Sequence, residues 1–172
     1  MPENKNEPRI IICNSGPLIA LAGIHRLELL HDIYKVVLVP EAVYREVTCL
    51  PRLLGAQNIT DCSWICRVSL LSKPDKLLTS QLGMGEAEVI TLALEKKSHK
   101  VLIDEKKARR IAGVIYGLNV TGTGGILLRA KKEGYVDAVR PLMQEMRDNG
   151  YYLSDRLIER IAMEAGESNP DL

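Results

Sequence analysis

Two kinds of apolar run alternate along this chain. Short, continuous runs occupy residues 9–13 (RIIIC), 36–39 (VVLV) and 101–103 (VLI), each halted by polar or turn-forming residues. Runs of this kind predict strands buried on both faces. Residues 64–71 alternate like a strand, and 119–121 predicts a further short one. Between these the apolar positions recur at helical spacing. Pro17 is placed to open a helix over 18–24, since proline is tolerated in a first turn, and the pattern continues through 25–33. Pro40 opens the next, over 41–47, with Glu41 near its positive end. More helices are expected at 75–82, 85–97, 105–116 and 126–133, then near 137–149 and 154–166. The last has Ser154 as N-cap and Gly166 as its stop.

Strands alternating with helices predict an α/β chain with a parallel sheet covered on both faces. There is no internal repeat or linker, so residues 9–166 are expected to form one domain, with 137–166 as extra C-terminal helices. Residues 1–8 read as a disordered tail and 167–172 as a frayed one, while 49–63 carry mixed signals.

The same pattern isolates a set of polar residues at the ends of apolar segments. Asn14 follows the first strand and Asp104 follows the run at 101–103. In an open parallel sheet such positions line the ligand crevice. Glu86 shares a helical face with Ile90, Ala93 and Leu94, whereas Glu88 turns towards water. Glu46 follows Ala42 and Val43 on the buried edge of its helix. Carboxylates converging on one crevice repel one another, and a hard divalent cation relieves that repulsion. Each residue also has a plainer reading. Glu86 suits a first turn, Glu46 a rim pair with Arg45, Asp104 an N-cap and Asn14 a turn. Ser15 and Thr123 are hydroxyls near the same edge, and either would serve as a cap.

Composition narrows the chemistry. Over 172 residues, 23 Lys+Arg balance 22 Asp+Glu, so affinity for a polyanion must come from a local patch. With no Phe and one Trp, the core is built from aliphatic side chains, and base-stacking modules are disfavoured. Cys62-x-x-x-Cys66 has no second pair, Cys13 and Cys49 stand apart, and His25, His31 and His99 complete no zinc pattern. No apolar run reaches membrane-spanning length and the N-terminus lacks a signal core, so a cytoplasmic protein with reduced thiols is expected.

Lys106, Lys107, Arg109 and Arg110 follow Asp104 at once. Beside a carboxylate crevice they would place positive charge where a phosphodiester backbone must lie, although such runs are usually solvated faces. Thr121-Gly-Thr-Gly-Gly125 opens a helix and could hold an anion on backbone amides. It fails the dinucleotide fingerprint at Leu127, and no P-loop Lys follows.

Five ordered motifs resemble the PIN domain family, close to a prokaryotic branch reading NSSPLI, PxxVxxEV, GEAEAIxLA, LIDxxxAR and GTxGxLLxAK. Here they stand as Asn14–Ile19, Pro40–Val47, Gly85–Ile90, Leu102–Glu105 with Ala108-Arg109, and Gly122–Leu128 with Ala130-Lys131. The resemblance implies a three-layer α/β/α sandwich with a four-to-five-stranded parallel sheet. It also implies a ribonuclease dependent on Mg²⁺ or Mn²⁺, often the toxin of a toxin–antitoxin pair. Carried over by motif, the acidic positions fall on Asn14, Glu46, Glu86 and Asp104 as metal ligands. Glu46, Glu86 and Asp104 are then the catalytic carboxylates, Ser15 and Thr123 supporting polar groups, and Lys106, Lys107, Arg109 and Arg110 the RNA contacts. The family's first Asp is Asn14 here, which removes one anion from the site. That departure implies weaker metal binding and opens the alternative of a catalytically weak or inactive RNA- or protein-binding module. Apolar positions on the C-terminal helices suit packing on the domain or on a partner, either a homodimer or an antitoxin protein.

Overall fold

The apolar runs become five strands: β1 (Ile10–Cys13), β2 (Val36–Pro40), β3 (Ile65–Val68), β4 (Val101–Leu102) and β5 (Val120–Thr121). This computed structural model describes residues 10–49, 59–97 and 100–167; the expected tail at 1–8 and most of the mixed stretch at 49–63 lie outside the described residues. All pairings are parallel, in the order β3-β2-β1-β4-β5. Ile11, Ile12 and Cys13 of the central strand are wholly buried, as a strand covered on both faces requires.

The helices are α1 (Ser15–Gly23), α2 (Glu28–Tyr34), α3 (Glu41–Thr48), α4 (Lys76–Gln81), α5 (Met84–Lys96), α6 (Lys106–Arg110), α7 (Thr123–Lys132), α8 (Arg140–Asp148) and α9 (Asp155–Glu164). With the sheet they form an α/β/α sandwich. α3 and α5 pack on each other and on β2, while α2 packs on β2 and α7. α9 bridges α7 and α8. The chain moves outward from β1 through β2 to β3, then returns to the other side of β1 as β4 and β5. The order therefore reverses between β1 and β4. A crevice opens beyond the carboxyl ends of strands at such a switch point. Asn14 and Asp104 both stand there.

Several boundaries differ from expectation, each for a local reason. Helix α1 starts at Ser15, so Pro17 falls inside the first turn, where its missing N–H costs nothing. The strand expected over 64–71 pairs only to Val68; beyond it, Leu71 and Ser72 donate backbone N–H groups to Glu95 on α5. Residues 105–116 do not form one α-helix. α6 ends at Arg110, and a π-turn covers Ile111–Ile115, with Tyr116 N bonding Ile111 O at 3.3 Å. Gly113 and three β-branched residues in that turn are weak helix formers. Helix α7 begins at Thr123, taking Gly124 and Gly125 into its first turn.

Glu167 is not part of a frayed tail. Its carboxylate accepts from Val139 N (2.6 Å), Arg140 N (2.9 Å) and Lys131 Nζ (2.9 Å), closing the start of α8. Burial works against its charge, but Lys131 and the two amides outweigh that and hold its pKa below the ordinary value. Glu167→Ala is expected to lower stability by about 1 kcal/mol, as loss of a helix cap does. The loss should fade as pH falls through Glu167's lowered pKa, because a depressed carboxylate stabilises only while ionised. Thermal unfolding at pH 7 and at pH 3 checks both statements.

Candidate active site at the β1–β4 switch point

Two secondary-structure ends bring the site's floor together. Asn14 N donates to Leu102 O at 3.0 Å, locking the end of β1 to the end of β4. Asn14 is the N-cap of α1, but its side chain makes no capping bond. Pro17, at the third helical position, has no N–H for it to accept. Its Oδ1 is a buried acceptor without a partner among the described residues, in a residue only 7% exposed. An orphaned acceptor costs roughly 1–3 kcal/mol, so a group that supplies positive charge there would be favoured.

Asp104 does not cap α6. Glu105 does, accepting from Ala108 N at 2.6 Å. Asp104 instead reaches across to the start of α7, where its carboxylate accepts from Thr123 N (2.7 Å) and Thr123 Oγ1 (2.6 Å). The Thr121–Gly125 turn thus holds an anion on a helix N-terminus, and the anion is the chain's own. A Cβ on Gly122 would lie 2.9 Å from Asp104 Oδ1 and would strike the Arg109 guanidinium, so only glycine lets these two groups meet the turn. Thr123 is buried, with its N–H and its hydroxyl both committed to Asp104.

A third donor to Asp104 was not legible in the sequence. Tyr151 O–H donates to Asp104 Oδ2. Gly150, at φ +91°, turns the chain after α8, with Tyr151 N bonding Met146 O at 3.0 Å. Burial first, then the Asp104 charge, push the Tyr151 pKa far up, so it remains a donor at any working pH. Asn149-Gly150 is a helix-stop signal, but nothing in it says where the following ring goes.

The other carboxylates gather on α5 and its neighbours. Glu86 is half-buried and closes its own helix, accepting from Gly83 N at 3.0 Å. It caps α5 and also borders the crevice. Burial raises its pKa most; Glu105 and Glu46 raise it further, against Lys107 and the Gly83 amide. Glu46 is exposed rather than on the buried edge of α3, because Val43 and Val47 form that edge. Its carboxylate lies over Gly85, where a Cβ would come within 2.5 Å of Oε1. Glu88 does not face water: it is half-buried and accepts from Ala42 N at 2.8 Å, at the start of α3.

An open groove of about 1290 Å³ runs over this floor. Asn14, Ser15, Glu86, Asp104 and Thr123 line it, as does Glu105; Glu46 does not. Of the basic cluster, Lys106 and Arg109 line it, Lys107 acts on Glu86 electrostatically, and Arg110 stands outside. Arg109 is half-buried and donates to Ile103 O at 3.4 Å. Among the described residues no three His, Cys, Asp or Glu side chains come together as a ready metal cluster. The donor set is nonetheless all oxygen, two carboxylates and an unpartnered amide carbonyl, which suits a hard divalent cation.

The molecule is thus an α/β/α sandwich with carboxylates lining the groove at its switch point. A family model described as a PIN domain matches residues 10–167, and the chain belongs to that family. No curated protein matches the chain. None of the described helices is long and apolar enough to cross a membrane.

Proposed function

We propose that the protein is a divalent-metal-dependent ribonuclease of the PIN type, with Asn14, Glu86 and Asp104 on one groove as its centre. The observation that carries this reading is the buried, unpartnered Asn14 Oδ1 beside carboxylates at the β1–β4 switch point. Mg²⁺ or Mn²⁺ held by Asn14, Glu86 and Asp104 would supply Lewis acidity and offset phosphodiester charge, with Glu46, outside the groove, adding negative charge beside Glu86. Thr123 and Tyr151 fix the Asp104 carboxylate, and Lys106 and Arg109 attract the polyanion. The groove's volume exceeds the ~300–1,000 Å³ of small-molecule pockets and its floor is open, which favours a polymer over a nucleotide. The branch motifs support a toxin role, for which an antitoxin protein would be the partner.

A second reading is favoured by a specific observation. Asp104 already accepts three hydrogen bonds, and Asn14 brings no charge, so the floor is satisfied without metal except at Asn14 Oδ1. On that reading the protein binds RNA or protein and cleaves nothing. Asn14→Asp separates the two. It is expected to lower melting temperature in chelator, by burying a second carboxylate near Asp104, and to tighten Mn²⁺ binding about tenfold or more. Calorimetric titration with Mn²⁺ checks this, and binding no tighter than wild type would remove Asn14 from the site.

A further inference from the structure

Helix α9 divides its charges in a way that a merely solvated helix does not require. Asp155 and Glu159, one turn apart, are both turned back on α8: Asp155 pairs with Arg147, and Glu159 with the buried Arg140. The hydrogen bond from Arg140 leads and lowers the Glu159 pKa, against the opposing effect of burial. Arg156 and Arg160, also one turn apart, make no ion pair among the described residues. Both line the same groove as Asn14, Glu86 and Asp104. Intrahelical partners were within reach at Glu159 and Glu164, at the three- and four-residue spacings that favour pairing. Asp155 and Glu159 are spent on docking the helix, and the two arginines remain available.

Lys106 borders the groove from α6 and is likewise unpaired among the described residues. Tyr152 precedes α9 at the groove's rim and is 88% exposed. Its neighbour Tyr151 points to Asp104, so the backbone that anchors the site also presents the second ring. Glu164 ends the strip one turn beyond Arg160.

We propose that Tyr152, Arg156 and Arg160 form a binding track for a single polynucleotide strand, the arginines holding successive phosphates and Tyr152 stacking on a base. The proposal rests on the nuclease reading for the identity of the polymer. Arg156 and Arg160 lie about 6 Å apart along the helix axis, four residues at 1.5 Å each. Phosphate contacts of this kind position a strand without reading its sequence, and stacking accepts any base. A duplex keeps its base faces stacked inward and has none to offer a rim tyrosine. Phosphates and base faces are common to RNA and DNA, so these three residues do not distinguish them.

The test is fluorescence anisotropy of a labelled single-stranded RNA with the full chain, in chelator so that nothing is cleaved. Arg156→Ala/Arg160→Ala should lower the slope of log affinity against log salt by about 1.4, two contacts at ~0.7 each. Tyr152→Ala should weaken binding roughly tenfold at unchanged slope, and Tyr152→Phe should restore it. Lys73→Ala/Lys132→Ala, exposed bases outside the groove, should bind as wild type. A DNA strand should show the same dependence, and a duplex should lose the Tyr152 effect. All five substituted residues are exposed, and unchanged melting temperatures confirm folding. Wild-type affinity and slope in both altered proteins would overturn the track, as would an equal Tyr152 effect on duplex. Cleavage in Mn²⁺ is read separately. Cleavage that persists while binding ignores these residues would sink the track alone, and dependent binding without cleavage would sink the nuclease reading alone.

Discussion

Glu86→Gln should abolish Mn²⁺-dependent RNA cleavage while making the metal-free protein more stable. Losing a supporting partner of a metal ligand commonly costs 10–100-fold, so loss of a direct ligand should cost at least ~100-fold. The stability gain follows from the electrostatics. Burial, and then Glu105 and Glu46, raise the Glu86 pKa above its ordinary 4.5. The folded protein therefore binds that proton more tightly than the unfolded chain. Stability is lost as pH rises from the ordinary value through the raised one, and the penalty is constant above it. Glutamine carries no such penalty and still offers an oxygen to Gly83 N, which keeps the capping box. The gain at pH 7 is modest, because Glu86 is only half-buried and water screens its neighbours. It should shrink to nothing below about pH 4. Melting curves with and without Mn²⁺, set beside cleavage rates, test all of this. Lower stability at pH 7, or an unchanged metal response, would show that Glu86 is a cap and no more.

Tyr151→Phe should affect both stability and the site. It removes one of three donors to Asp104 and leaves the ring's packing in place. A hydrogen bond to a charged group contributes roughly 1.5–3 kcal/mol, and the half-exposed setting of Asp104 favours the lower end. If Asp104 works in the position these donors give it, cleavage should fall ~10–100-fold with little change in RNA affinity. A lowered melting temperature with unaltered cleavage would make Tyr151 a structural strut. The comparison needs RNA affinity measured in chelator, so that binding and turnover are separated.

How much of this was legible in the sequence depends on range. The parallel sheet and the positions of β1, β2 and β4 were readable, because continuous β-branched runs have few other uses. That Asn14 and Asp104 border one crevice followed from strand ends alone. Local competition was harder. Asp104 and Glu105 are adjacent carboxylates before a helix, and only the geometry of α7 shows that Glu105 caps while Asp104 crosses to Thr123. Glu88 carries a solvent-face spacing, yet the start of α3 approaches it and uses its charge. Tyr151, from the turn after α8, and Arg156 and Arg160, from α9, reach the groove from the C-terminal segment, whose helical pattern announces packing and not its direction.

The central claim, that the Asn14–Glu86–Asp104 groove hydrolyses RNA with a divalent cation, is tested most directly by one assay. Purified protein is incubated with a mixed RNA pool and Mn²⁺, beside a chelator control, Glu86→Gln and Asn14→Asp. Products that form in Mn²⁺, vanish in chelator and with Glu86→Gln, and increase with Asn14→Asp are the expected result. Intact RNA at every Mn²⁺ concentration, for wild type and Asn14→Asp alike, would contradict it and leave a binding module on a nuclease fold.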